Sequence, residues 1–280
     1  MTQALSLDAR TPLSPAAEAF DAIAETFDDR FGSWRSVAAQ RRAVRAELLD
    51  AFATGARVLE VGGGTGEDAS WLTHRGRTVL LTDPSPTMVR IAASKLAPLG
   101  APAPLTLSAE NLSTLADALG ESFLDGAFSN FAALNCVRDL SPVARGLAKV
   151  VRPNGVVVLV VFGVCVPGEW IVEAIRVNRR AMFRRFSRGE VHARLGGREF
   201  VVRYHRASDI SRTFAPWFRV TRRRGIGVFV PPSAAEPWIS RHARLLTLLE
   251  GLDRAMSRPL AMFGDHVLYR FERTEVNASV

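Results

Sequence analysis

The chain has only two cysteines, Cys136 and Cys165, in 280 residues. A disulfide framework needs more, and a zinc site needs close cysteine pairs with histidine, so neither is expected, and no other metal site is. No basic start followed by an apolar core opens the sequence, so no secretory leader is expected. The longest apolar run, Val156 to Val166, is about half of the roughly 20 residues that span a bilayer. Internal repeats and low-complexity tracts are missing too. These absences point to a soluble, cytoplasmic globular protein with no membrane partner.

Apolar residues make up 48% of the chain and charged residues 23%, ordinary values for a folded protein. The length suits one large α/β domain with an insertion, or two modest domains. A net charge of +8, mostly from arginine, is compatible with nucleic acid, an anionic surface or an acidic substrate. The arginines are scattered rather than gathered in one tail, which favours a compositional origin.

The densest signal is Val58-Leu59-Glu60-Val61-Gly62-Gly63-Gly64-Thr65-Gly66, an apolar strand that ends in an acid and a glycine-spaced turn. The next strand, Thr78 to Thr82, leads into Asp83, 17 residues after Gly66. Glycine permits φ > 0 and close approach of a ligand. A strand, a glycine turn, a helix and a second carboxylate make a nucleotide cradle, with the carboxylate placed for ribose hydroxyls. A dinucleotide fingerprint needs G-x-G-x-x-G, and Glu67 stands where the third glycine belongs. The spacing is E-x-G-x-G-x-G instead.

Helical periodicity runs from Pro15 to Phe52, with Phe20, Ile23 and Phe27 on one face. Strands are then expected at Arg57–Val61, Thr78–Thr82, Leu105–Ser108, Asp125–Asn130 and Gly155–Phe162. Helices between them are expected at Glu67–Arg75, Pro86–Leu96, Leu112–Leu119 and Pro142–Val151. This alternation predicts a doubly wound, mostly parallel sheet. After Phe162 the alternation breaks. Gly168 to Phe186 reads as a basic amphipathic helix bearing Arg176, Arg179, Arg180, Arg184 and Arg185. A hairpin follows, Val191–Leu195 and Glu199–Tyr204, turned by Gly196-Gly197. A short helix capped by Ser208, strands at Phe218–Val230 and His266–Glu272, and a helix over Pro237–Met256 complete the chain. The expected organisation is a helical cap (1–54), a cofactor-binding core (55–163), an inserted substrate lid (164–207) and a segment completing a seven-stranded sheet (208–280).

The glycine motif with its paired Asp83 resembles motif I of the class I S-adenosylmethionine-dependent methyltransferases, and the strand order resembles their Rossmann-like fold. The resemblance implies S-adenosyl-L-methionine as cofactor, with Glu60 near the methionine amino group and Gly62, Gly64 and Gly66 bending beneath it. By the same resemblance Asp83 holds the ribose and Met88 packs on adenine. In Leu107-Ser108-Ala109-Glu110-Asn111, many family members carry an aspartate where Ser108 stands, so adenine contacts pass to Ala109, Glu110 or Asn111. Ser129 and Asn130, at the end of the fourth strand, are placed near the reacting methyl. No Asn/Asp-Pro-Pro-Tyr/Phe tetrapeptide occurs there, against the branch that methylates adenine or glutamine amines. The stretch Asn130 to Val137 resembles bacterial small-molecule methyltransferases.

The expected reaction is therefore methyl transfer to an oxygen or nitrogen of a small-molecule acceptor, with an acidic or aromatic one as the candidates. Methyl transfer needs in-line positioning, and a base only where the nucleophile must lose a proton. Candidates for that base or its support are His205, Tyr204 and Asn135, with His192 and Glu169. Trp34, Phe131 and Trp170 are candidate acceptor walls. His74, His242 and His266 lack a partner pattern and read as structural or surface residues. Nucleic-acid methylation and a non-catalytic cofactor-binding scaffold are the alternatives; the clusters Arg179–Arg188 and Arg222–Arg224 supply charge but no RNA-binding module. The expected state is monomer or homodimer.

Overall fold

The computed structural model describes residues 12–175, 177, 184–186 and 189–275. Three helices come first: α1 (Pro15–Asp21), α2 (Phe27–Gly32) and α3 (Arg35–Ala51). The core follows as β1 (Arg57–Val61), α4 (Glu67–Thr73), β2 (Thr78–Asp83), α5 (Pro86–Leu96), β3 (Leu105–Thr106), α6 (Thr114–Leu119), β4 (Leu124–Ser129), α7 (Ser141–Val150) and β5 (Val151–Phe162). Then come α8 (Pro167–Ile175), the hairpin β6 (Glu190–Leu195) and β7 (Arg198–Arg203), a helix at Ala207–Phe214, β8 (Phe218–Ile226), a helix at Ala243–Met256 and β9 (His266–Arg273).

Seven strands form one sheet in the order β3-β2-β1-β4-β5-β9-β8. The first five are parallel, and β9 runs antiparallel to both β5 and β8. Side chains of a strand alternate between faces. Leu59, Val61, Leu80, Ala127 and Leu159 accordingly pack with α6 and α7 residues in one apolar layer. Val58, Val79, Leu81, Phe128 and Val158 pack with residues of α3, α4 and α5 in the other. Burial on both faces is why β5 is apolar at every position from Val156 to Phe162.

Local chemistry sets the helix starts. Ser85 caps α5 by accepting from the Met88 amide at 3.0 Å, and Pro86 occupies the first turn, where its missing N–H costs nothing. Ser14 and Pro15 do the same for α1. The helix at Ala207–Phe214 departs from expectation: its cap residue is Arg206, not Ser208. The last long helix starts at Ala243 rather than Pro237, because a short 3-10 turn, Ile239–Arg241, occupies the intervening chain. The long helix expected over Gly168–Phe186 is observed only as Pro167–Ile175 and a separate turn at Arg184–Phe186; Arg176, Arg179 and Arg180 lie outside the described residues.

The hairpin forms its own two-stranded sheet, turned by Gly196 (φ 57°) and Gly197 (φ 78°). It docks on α1, where Ala16 and Ala19 meet Phe200 and Val202. The helix α1 and the hairpin therefore share one small core above the carboxyl edge of the sheet.

Candidate active site

The glycine turn is tied down by backbone and carboxylate. The amides of Gly62 and Gly63 both donate to the Thr82 carbonyl, at 2.8 and 3.1 Å. The Gly64 amide donates to Asp83 Oδ2 and the Ser85 amide to Asp83 Oδ1, each at 2.9 Å. Asp83 thus links the turn to the start of α5 while facing the cavity. Burial raises its pKa to about 6, against the pull of those two amides. Gly64 has φ +55°, and a Cβ built there would meet only Met88 Sδ, at 4.0 Å. Such a side chain would point into open space that a ligand needs.

Beside the turn lies a cluster of buried charge. Glu60 is buried and its Oε2 has no hydrogen-bond partner. Burial pushes its carboxyl well above the usual range, Asp68 adds to the shift, and Arg41 opposes it. Asp68 is held by Arg45 Nε at 2.7 Å, by Arg41 at 3.5 Å and by Asn130 Nδ2 at 2.7 Å. Asn130 Oδ1 in turn accepts from the Phe131 amide at 2.7 Å, where the chain bends through left-handed Phe131 and Ala132. The Arg41 guanidinium sits 4.7 Å from the centre of the Phe131 ring.

Two aspartates latch the N-terminal helices to this turn. Asp21 Oδ1 accepts from Ser85 Oγ at 2.6 Å and the Thr87 amide at 2.9 Å. Asp28 accepts from Thr65 Oγ1 at 2.6 Å and Lys95 Nζ at 2.5 Å.

A cavity of about 1550 Å³ spans the whole arrangement, more than one small ligand requires. One end is walled by Glu60, Gly62–Gly64, Asp83, Met88 and Ser108–Asn111. The other end holds Phe131, Phe162, Tyr204 and His266, with Glu169, Arg184 and Arg185. There Phe162 stacks on His266, with centroids 5.1 Å apart, and lies 5.8 Å from Tyr204. Arg185 is buried and donates to the Gly163 carbonyl at 3.1 Å, the Asp265 carbonyl at 2.9 Å and Asp265 Oδ1 at 2.7 Å, besides pairing with Glu169. Burial and the Arg185 charge lower the His266 pKa, with Asp265 opposing them, so the imidazole is neutral at pH 7. Burial raises Asp265, but His266, Arg185 and Gln40 outweigh it and leave the carboxyl below its ordinary range.

Most of the expected residues converge. Glu60, Gly62, Gly64, Asp83, Met88, Ala109, Glu110, Asn130, Trp34, Phe131 and Tyr204 all line the cavity, as do His192 and Glu169. Five expected residues do not. Gly66 lies behind the turn as the cap residue of α4. Ser129 is buried in β4 with its hydroxyl unpartnered. Asn135 is a structural clip: its Nδ2 donates to the Arg203 carbonyl at 2.6 Å and its Oδ1 accepts from the Phe162 amide at 3.0 Å. His205 lies 3.2 and 3.1 Å from the carbonyls of Leu134 and Val137, which engages its Nε2 away from the cavity. Trp170 packs on Phe186, at 5.7 Å. Conversely, Asp68, Arg185 and His266 were not expected here. The usable signal was the Asp265-His266 pair opening the last strand, whose register sets His266 opposite Phe162.

The comparisons agree with this geometry. Residues 59–159, which include the glycine turn, Asp83 and Asn130, match the methyltransferase domain family. Over that segment the chain is similar to class I S-adenosylmethionine-dependent methyltransferases. The chain is similar in fold to an S-adenosylmethionine-dependent methyltransferase of Listeria monocytogenes, with a TM-score of 0.56 and 14% identity over 85% of this chain and 98% of that one. A Mesorhizobium loti S-adenosylmethionine-dependent methyltransferase gives 0.52 and 18%, covering 84% and 98%. The geranyl diphosphate C-methyltransferase of Streptomyces coelicolor, solved with Mg2+, geranyl diphosphate and S-adenosyl-L-homocysteine, gives 0.52 and 12%, covering 84% and 79%. No curated protein matches the sequence.

Proposed function

We propose that this methyltransferase transfers a methyl group from S-adenosyl-L-methionine to an oxygen or nitrogen of a small aromatic acceptor held within the cavity. The observation that carries the reading is one continuous space running from Glu60 and Asp83 to an aromatic-walled end at Phe131, Phe162, Tyr204 and His266. The first end fits the cofactor. The unpartnered Glu60 Oε2 suits an ammonium group, the Asp83 carboxylate suits vicinal hydroxyls, and Gly64 leaves room for both. Met88 and the backbone at Ala109 and Glu110 would hold the adenine. Bound there, the cofactor supplies an electrophilic methyl on a sulfonium, already a good leaving group.

What remains for the protein is to aim the acceptor and exclude water. Aromatic rings provide flat walls for the first task. The helical cap and the insertion act as a lid for the second, since α1 and the hairpin pack on each other above the sheet edge. Where the nucleophile must shed a proton, the neutral His266 imidazole is the group in this end able to accept it. Burial raises the Tyr204 pKa, so its hydroxyl stays protonated and serves as a hydrogen-bond donor to the acceptor.

Charge separates the alternatives. Arg185 and Arg184 are paired with Glu169 and Asp265, and Arg41 with Asp68, so the cavity offers aromatic surface more than free cation. Outside it, Arg222 pairs with Glu47 and Asp50, and Arg224 with Glu47, so this cluster is not an open basic platform for RNA. Incubation with methyl-labelled cofactor and a panel of phenols, aromatic amines and carboxylic acids tests the reading. Label transfer to a phenol or amine, lost in His266→Gln with cofactor affinity retained, supports it. Cofactor binding without transfer to any member favours the scaffold, and no cofactor binding overturns the reading outright.

A further inference from the structure

The helix Ala243–Met256 leaves an apolar stripe facing solvent. Leu245, Leu248, Leu252 and Met256 are 37%, 62%, 40% and 37% exposed. Their spacing of three and four residues puts them on one side of the helix. The adjoining side is the one that holds the fold: Leu246 is buried with Ile239 and Ala39, and Asp253 accepts from the Phe229 amide at 2.6 Å. The stripe is therefore surplus to the core. Trp238, just before the helix, is 53% exposed, and Phe263, just after it, is 41% exposed.

The charges around the stripe have one sign. Arg241, Arg244, Arg254 and Arg258 are all exposed. Of the two acids in the helix, Asp253 is buried and Glu250 is engaged by Arg42 at 2.6 Å. A two-fold dimer through this face would set the patch against itself, bringing arginines onto arginines with no free acid of the helix, among the described residues, to offset them. Leucine and methionine on one side, arginine beside them and a tryptophan at the edge are what a helix lying in a lipid headgroup boundary presents.

We propose that this methyltransferase docks peripherally on anionic lipid surfaces through the exposed face of the helix Ala243–Met256. The expectation of no membrane partner rested on the length of apolar runs, which bears on spanning and not on lying at an interface. The docking face is close to the cavity in the chain, since Pro232, Ser233 and Ala234 line the cavity wall just before Trp238. An acceptor dissolved in lipid would then have a short route to the aromatic end.

Vesicle co-sedimentation tests the proposal independently of methyl transfer, because it requires neither cofactor nor acceptor. The full chain should sediment with phosphatidylcholine vesicles containing phosphatidylglycerol and not with phosphatidylcholine alone, and added salt should release it. Leu248→Glu with Leu252→Glu should lower the bound fraction at least about tenfold, and Arg244→Glu with Arg254→Glu should lower it too. All four side chains are exposed, so thermal melts of the variants should match the parent. A parent protein that stays in the supernatant overturns the proposal, as does equal sedimentation of the leucine variant. A concentration-dependent dimer that Leu248→Glu dissociates, without vesicle binding, assigns the face to a second copy and also overturns it.

Discussion

Replacing Asp83 with alanine should move stability and affinity in opposite directions. In the folded protein the Asp83 carboxyl titrates at about 6 instead of 3.8. Between those values the native state holds a proton that the unfolded chain has lost, so this group's contribution to stability falls as pH rises through the window. Above the window the ionised carboxylate opposes folding by about (6 − 3.8) × 1.36, or about 3 kcal/mol, on the value of one pKa unit. That balance already includes the amides of Gly64 and Ser85, which both favour the charged form. Asp83→Ala removes the penalty, and because the site borders the cavity, water can reach the two amides it frees. The melting temperature at pH 7 should hold steady or rise. Affinity for S-adenosyl-L-methionine should nonetheless fall by about 1.5–3 kcal/mol, about 10- to 150-fold, as hydrogen bonds to a charged group are lost. Isothermal titration from pH 5 to 8 checks both the size and the cause. The parent should weaken below about pH 6, as Asp83 takes up its proton, and the variant should lose that pH dependence. Unchanged affinity in the variant refutes the ribose-binding role. A matching loss of folding stability shows that Asp83 acts by holding the turn alone.

Two further outcomes follow from the same geometry. Gly64→Val should abolish cofactor binding while leaving a folded protein, because the side chain enters open space and strains a position with φ +55°; normal binding in titration would show that the ligand lies elsewhere. Replacing residues 188–206 with a short linker should keep cofactor affinity within about tenfold, or 1.4 kcal/mol, yet eliminate transfer to the acceptor; full activity of that variant would leave the N-terminal helices as the sole cover.

The cofactor half of the site was legible because its chemistry is local in sequence. Glu60, Gly62 and Gly64 follow one strand, and Asp83 ends its parallel neighbour, with Val61 in register with Thr82. Spacing alone therefore brings the carboxylate under the turn. Strand and helix positions were legible for the same reason, since β1 and α5 are punctuated by their own glycine, serine and proline. The misplaced residues fail for a shared physical cause. His205 and Asn135 are polar side chains near the right strand ends, yet each is engaged by backbone groups where the chain leaves regular strand structure. A buried carbonyl or amide must find a partner. Sequence cannot show whether a histidine faces a ligand or two carbonyls.

The acceptor half was hidden because topology, not spacing, assembles it. Phe131 follows β4, Phe162 ends β5, Tyr204 follows the hairpin and His266 opens β9. Only the insertion of β9 antiparallel against β5 sets His266 directly across from Phe162. The same pairing explains why Asp265 and Arg185 are buried beside them: Arg185 donates to the carbonyls of Gly163 and Asp265 at the end of the ladder between the two strands. A guanidinium used in this way has its charge spent on Asp265 and Glu169. It therefore braces the wall carrying His266 and Phe162 and, on the proposed reading, leaves the rings to meet the acceptor. Selectivity in this cavity should follow ring shape and the ability to give up a proton, and depend little on the acceptor's charge.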